Sequence, residues 1–292
     1  MPTLSLARVV DRVHAVVAHA REVTDHPVLE HLARVGLLAY GLVHLLIGWL
    51  AFTVAWRIAP TAEDADQTGA LATLAATPGG LVVLWLVGLG LLALAAWQGG
   101  EVLRWWTGLL DPAHRLRAAY VCVKCVAKAC VYAVLALTAL VYAVGAEYDA
   151  AERARELTDD TLEVPGGAVL VVGTGLVVVA VGGYLVLRGV TAGFMKDVDL
   201  DAAPDRYEPA IAWVGRVGYV AKGIAFVVTG GLLGWAAVTR DVSTATGLDG
   251  AVNAIGAVPT GQWLLTAVAG GFAAFGVYAL ARARYPDRDP ST

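Results

Sequence analysis

Charge is scarce in this sequence. Asp, Glu, Lys and Arg make up 16% of its 292 residues, whereas soluble domains hold about 25%. Hydrophobic residues make up 58%, and the mean hydropathy is +0.65. Soluble domains hold about 45–50% apolar residues. The composition therefore argues against a water-soluble protein, because an apolar surplus of this size needs lipid around it.

The signatures of common enzymes are missing. The sequence contains no HExxH, GxSxG, P-loop or dinucleotide-binding motif, each of which would place reactive groups at a fixed spacing. His44 is the only histidine inside a predicted span, whereas a membrane-embedded b-type haem normally has two. We therefore expect no enzymatic activity, no cofactor and no nucleic-acid partner.

Cysteine is also rare. Cys122, Cys125 and Cys130 fall inside one apolar stretch. A metal site needs more ligands than these three cysteines supply, and no other typical ligand at membrane depth lies nearby in the sequence. We interpret the three thiols as small apolar packing groups and expect no metal.

Long apolar stretches dominate what is present. Each is long enough for the roughly 20 residues that cross about 30 Å of hydrocarbon, and none alternates as strands of a membrane barrel do. The sequence therefore predicts an all-α, multi-pass membrane protein with six spans. They lie near residues 35–56, 81–103, 118–144, 167–192, 212–238 and 262–281.

The cations are sorted by side. Of 21 Lys and Arg residues, those in loops after odd-numbered spans are Arg57, Arg153, Arg155 and Arg240, which leaves 17 elsewhere. Because positive residues stay on the cytoplasmic side of a membrane, we predict that both termini are cytoplasmic.

A two-helix unit is repeated three times. RVGLLAYGLVHLLIG begins at Arg34, CVKCVAKACVYAVLA at Cys122 and RVGYVAKGIAFVVTG at Arg216, and a Pro-x-Gly triplet follows each copy. Because each copy holds two spans, successive copies enter the membrane in the same direction. The pattern predicts three parallel repeats with pseudo-threefold symmetry about the membrane normal.

The repeats divide the chain into five parts. We predict repeats at 32–110, 111–205 and 206–285, and a cytoplasmic tail at 286–292. Residues 1–31 have apolar positions at helical spacing. This amphipathic segment fits a helix on the inner membrane surface and equally a helix packed on the protein's own cytoplasmic loops.

Polar residues recur at one position of the repeat. Aligning the copies places Tyr40, Lys128 and Lys222 in one column, and His44, Tyr132 and Phe226 four residues later. Positions i and i+4 share a helical face, so each odd-numbered span carries one polar or aromatic stripe. We expect these stripes to line the centre of the bundle.

Ionisable side chains inside a membrane are costly and are often functional. His44 fits either a structural bond to a backbone carbonyl or a proton-transfer or anion-contacting role. Lys128 and Lys222 can extend to the interface or face inward. No acidic residue lies at their depth in the sequence, so inward-facing lysines would favour an anion. The candidate ligand-binding residues are Lys128, Lys222, His44, Tyr40 and Tyr132.

The chain resembles an actinobacterial membrane family, domain of unknown function twelve-oh-six. The segments RVGYVAKG at Arg216, GLDGAV at Gly247 and GVYALARARY at Gly276 carry the likeness, which extends from about Leu32 to Tyr285. The resemblance implies three tandem two-helix units in a bacterial inner membrane, and it implies no activity.

Three functions remain open from the sequence. The first is binding or passage of a small anionic solute or an anionic lipid. The second is a non-catalytic accessory or scaffold subunit that packs against a membrane-protein partner. The third, an enzyme using residues of unrecognised pattern, has no motif in its favour.

Overall fold

The computed structural model describes residues 27–56, 58, 67–111, 113–146, 149–199, 203–245, 251–252, 255–256 and 258–286. All structural statements concern these residues. The predicted N-terminal amphipathic segment up to residue 26, and the tail from residue 287, lie outside them.

Long helices make up most of the described chain. In order, the helices are α1 (Pro27–Ala55), α2 (Gln67–Ala75), α3 (Gly80–Trp105), α4 (Arg115–Ala143), α5 (Ala150–Glu163), α6 (Gly167–Val190), α7 (Glu208–Thr239) and α8 (Gly261–Arg284). Six of these, all but α2 and α5, are long and apolar enough to cross a membrane. The predicted all-α membrane class and its six spans are therefore confirmed, with bounds that differ by a few residues.

Pro-x-Gly turns start the second helix of each repeat. Gly79 and Gly166 have positive φ angles of 81° and 85°, a conformation that glycine adopts without a steric penalty. At the next residue, a Cβ on Gly80 or Gly167 would overlap a backbone carbonyl of the preceding turn. The short helix α2 precedes the first of these turns.

The membrane helices follow one another in space as α6, α7, α8, α1, α3 and α4. Neighbours in this series run antiparallel. Within the described residues, α4 and α6, the two helices of the middle repeat, do not pack along each other. The pseudo-threefold symmetry itself stays a prediction.

Glycines set the contacts between repeats. Gly41 on α1 lies against Gly276 on α8, and Gly182 on α6 lies against Gly223 on α7. Lipid tails are as apolar as leucine, so helices in a membrane associate through close packing, which small residues permit. These contacts join repeat 3 to repeat 1 and repeat 2 to repeat 3.

A second glycine sets the contact inside a repeat. Gly36 on α1 lies against Gly90 on α3, and Gly218, at the equivalent position of α7, lies against the backbone of Phe275 on α8. The middle copy has Lys124 at this position. A lysine cannot reproduce a backbone-to-backbone contact, which explains why α4 and α6 stay apart.

The segment after α6 folds back beneath the bundle. We call the side at which α1 begins and α8 ends the terminal side. There, a 3-10 turn at Gly193–Asp197 inserts Phe194, which is fully buried and stacks on Tyr219 of α7 with ring centroids 5.2 Å apart. The Tyr278 hydroxyl donates to the Phe194 carbonyl at 2.8 Å. These contacts bring the residues beyond α6 under the polar centre.

The close contacts predict a difference between glycines on one helix. Gly218→Ala should lower the free energy of unfolding by about 1–3 kcal/mol, because the new methyl group overlaps the Phe275 backbone. Gly231→Ala, also on α7, meets open space and should be neutral or slightly stabilising. Thermal unfolding in detergent tests this, and equal melting temperatures for the two variants would contradict the packing.

Candidate functional site

Lys222 lies at the centre of the candidate site. Its Nζ donates to the Tyr40 hydroxyl oxygen at 2.6 Å and lies 2.9 Å from His44 Nε2. Lys222 is 6% exposed. The interface-reaching alternative is therefore wrong for this lysine, which faces inward from α7 and bonds two side chains of α1.

The bonds of His44 determine its tautomer. The ring is fully buried, and Nδ1 lies 2.8 Å from the backbone carbonyl of Tyr40. A carbonyl accepts only, so Nδ1 carries the proton and Nε2 of the neutral ring accepts from Lys222. The predicted structural bond of His44 to a carbonyl is confirmed, and the contact with Lys222 is additional.

Aromatic rings surround the lysine nitrogen. Lys222 Nζ lies 4.3 Å from the ring centroid of Phe275 and 4.9 Å from that of Tyr40. The negative faces of such rings attract a cation. Tyr132 from α4 meets the Tyr40 ring edge-on, with centroids 5.6 Å apart. Four of the five predicted site residues thus come together from three helices.

The fifth, Lys128, lies in a separate group toward the terminal side. We call Lys128, Arg188, Arg282 and Asp197 the basic cluster. Arg188 donates to Asp197 at 2.7 Å, with both side chains about nine-tenths buried. Arg282 and Lys128 interact electrostatically with the same carboxylate. The cluster therefore holds three cations around one carboxylate.

The environment of Asp197 has opposing effects. Burial alone would raise the pKa of its carboxyl, but Arg282, Arg188 and Lys128, with the hydrogen bond from Arg188, lower that pKa below its ordinary value. Asp197 therefore stays ionised at neutral pH. Its single negative charge leaves the cluster with a surplus of positive charge.

Arg282 connects the two groups. It lies close enough to Tyr132 and to Tyr40 to interact with both electrostatically. A polar path thus runs from His44 and Lys222 through the two tyrosines to the basic cluster.

The structure corrects one expectation about charge. Lys128 was expected to lack a protein counter-ion, but Asp197 approaches it from the segment beyond α6. Sequence reasoning missed Asp197, Arg188 and Arg282 because each lies at or beyond a helix end. One signal for the ion pair was available in the sequence: Arg188 and Asp197 lie nine residues apart across a short turn.

Other predicted residues have ordinary roles. Phe226 is half-buried on α7. Glu101 and Arg104 form an i,i+3 ion pair at 3.2 Å on α3. Cys122 and Cys125 are buried as expected of packing groups, whereas Cys130 is exposed on α4.

Comparison with known proteins identifies the family. The family model described as Domain of Unknown Function (DUF1206) matches residues 35–104, 123–192 and 217–286. The chain belongs to the DUF1206 family. This DUF1206 protein is also 29% identical over 261 residues to the "Uncharacterized protein YxxB" of Bacillus subtilis (strain 168), covering 89% of this chain and 92% of the relative. No solved structure matches. The actinobacterial origin that the resemblance implies stays a prediction.

The buried contact between His44 and Lys222 predicts a non-additive effect on stability. His44→Leu removes an acceptor from a buried lysine and should cost about 1–3 kcal/mol. The double variant His44→Leu with Lys222→Met removes both groups, so it should lose less than the sum of the single variants. Unfolding of all four proteins in detergent measures the coupling. Strict additivity would show that the two side chains do not interact.

Proposed function

We propose that this DUF1206 protein binds a small anion or an anionic lipid headgroup at the basic cluster. The observation that carries the proposal is the convergence of Lys128, Arg188 and Arg282 on the single carboxylate of Asp197. Opposite charges attract more strongly in a low-dielectric interior than in water. An anion that binds here offsets the surplus positive charge.

Lys128 is the cation best placed to contact the ligand. Arg188 already bonds Asp197, and Lys222 bonds Tyr40 and His44. Arg282 interacts electrostatically with Tyr132 as well as with Asp197. Lys128 is half-buried on α4, and its ammonium group has three donors to offer. The deeper residues Tyr40, His44, Lys222 and Tyr132 hold the site in place beneath it.

The proposal includes a location and excludes catalysis. The sorting of cations supports a bacterial inner membrane with both termini in the cytoplasm, so the terminal side is cytoplasmic and the cluster faces that leaflet. Binding or passage of an anion needs no bond-breaking residues, and no enzymatic activity is proposed.

An accessory subunit of a larger membrane complex is the alternative. Several glycines, Gly173 and Gly183 on α6 and Gly231, Gly234 and Gly270 on α7 and α8, meet open space in the described structure. Small residues on a lipid-facing surface allow another helix to approach closely. This reading assigns the polar centre a structural role alone.

Native mass spectrometry of the gently extracted protein tests the two functions. Wild-type protein should carry a bound anion or anionic lipid, and Lys128→Met should weaken its retention about tenfold or more, the effect of losing one charge-assisted bond. Arg240→Gln, a cation beyond α7 on the opposite side, is the matched control and should retain the ligand.

The outcomes separate the alternatives. Loss of the ligand in Lys128→Met with unchanged thermal stability supports the binding function. Equal retention by both variants would refute the role of the cluster. A stoichiometric protein partner without any small ligand would favour the accessory subunit.

A further inference from the structure

In the described part of the chain, the two helices of the middle repeat, α4 and α6, do not pack together as the two helices of the other repeats do. The three 70-residue family matches start at residues 35, 123 and 217, so Val43, Val131 and Ala225 are equivalent positions. Val43 and Ala225 are 2% and 1% exposed, but Val131 is 49% exposed. A position that packs in the outer repeats is thus open on α4.

The facing helix shows the same difference. Leu94 on α3, Val181 on α6 and Phe275 on α8 are equivalent, because each lies 14 residues after the glycine that begins its helix, Gly80, Gly167 or Gly261. Leu94 and Phe275 are each 5% exposed, whereas Val181 is 42% exposed. Both walls of the space between α4 and α6 therefore expose side chains that are covered in the other two repeats.

The residues that line this opening form two stripes. Lys124, Lys128 and Val131 on α4 have the spacing i, i+4 and i+7, and Val181, Tyr184 and Arg188 on α6 have the spacing i, i+3 and i+7. Each spacing keeps its residues on one face of a helix. On both stripes the polar residues lie nearer the terminal side, and the valine lies deeper.

Two tyrosines mark the terminal-side edge of the opening. The hydroxyls of Tyr120 and Tyr184 lie 3.5 Å apart, and Arg188 lies 3.5 Å from the Tyr184 hydroxyl. Tyrosine is enriched where hydrocarbon meets headgroups. The opening therefore has a polar end at headgroup level and an apolar end in the hydrocarbon.

This arrangement has the polarity of a phospholipid. A phosphate at the polar end would meet Lys128 of the basic cluster. Acyl chains would lie against Val131 and Val181, which already face hydrocarbon. A small anion from water would contact the cations but would gain nothing from the exposed valines. The charge and the apolar walls together therefore favour a lipid.

We propose that an anionic phospholipid of the terminal-side leaflet enters the bundle sideways between α4 and α6 and places its phosphate against Lys128. This proposal rests on the proposed function, because it takes the basic cluster as the anion site and names a phospholipid as the ligand. Lys124, in place of the glycine of the other repeats, keeps the passage open.

A bulky residue in the opening tests lateral access. Purified, delipidated protein is titrated with phosphatidylglycerol, phosphatidylcholine or inorganic phosphate, and binding is read by native mass spectrometry and thermal shift. Val181→Trp should block the opening and weaken phosphatidylglycerol binding about tenfold or more. Leu170→Trp is the matched control on the same helix, since Leu170 is 66% exposed and its equivalent Leu264 on α8 is 48% exposed.

The outcomes distinguish the two proposals. Selective binding of phosphatidylglycerol that is lost in Val181→Trp and Lys128→Met, and kept in Leu170→Trp, supports the lateral lipid site. Phosphate binding that needs Lys128 but is unaffected by Val181→Trp would overturn lipid access and leave the anion site intact. If no anion binds, both proposals fail. If Val181→Trp instead converts a dimer to a monomer, the opening is a contact between copies.

Discussion

Close contact between helix backbones is the constraint on which this bundle depends. Within lipid, apolar side chains gain little by leaving one hydrocarbon surface for another, so helices hold together where their backbones approach closely. Gly41 with Gly276 and Gly182 with Gly223 provide such approaches between repeats. Gly36 and Gly218 provide close backbone contacts within the outer repeats. The middle repeat has Lys124 at this position and lacks the contact. A single position of the repeat thus determines where the bundle is open.

The polar centre depends on this packing. Lys222 reaches Tyr40 and His44 only because α7 and α1 both lie against α8, which places the two odd helices on either side of Phe275. A buried lysine is costly unless its donors are satisfied. Its two short contacts offset part of that cost and fix the deeper residues under the basic cluster.

Much of the fold could be predicted from the sequence, because span length and hydropathy follow from lipid thickness alone. The repeat register correctly brought Tyr40, His44, Lys222 and Tyr132 toward one centre, since equivalent residues occupy equivalent faces. The register could not reveal Asp197.

That carboxylate belongs to a short turn after α6, and its position depends on the insertion of Phe194 beneath α7. Contacts between helices that are distant in sequence, such as Arg282 with Tyr132, leave no periodic trace in the chain. The alignment of the copies places Lys124 where the other repeats have glycine. Only the structure shows that the glycine packs the two helices of repeats 1 and 3 together, and hence what the lysine changes.

Measuring the distance between α4 and α6 tests this account most directly. Spin labels at Val123 and Leu187, after replacement of the native cysteines, report it by pulsed electron paramagnetic resonance in lipid nanodiscs. Labels at the equivalent positions Val35 and Gly100 report the packed pair α1 and α3. We predict a longer distance across α4 and α6, which shortens in Lys124→Gly. Equal distances in the two repeats would contradict the open middle repeat and the role of its lysine.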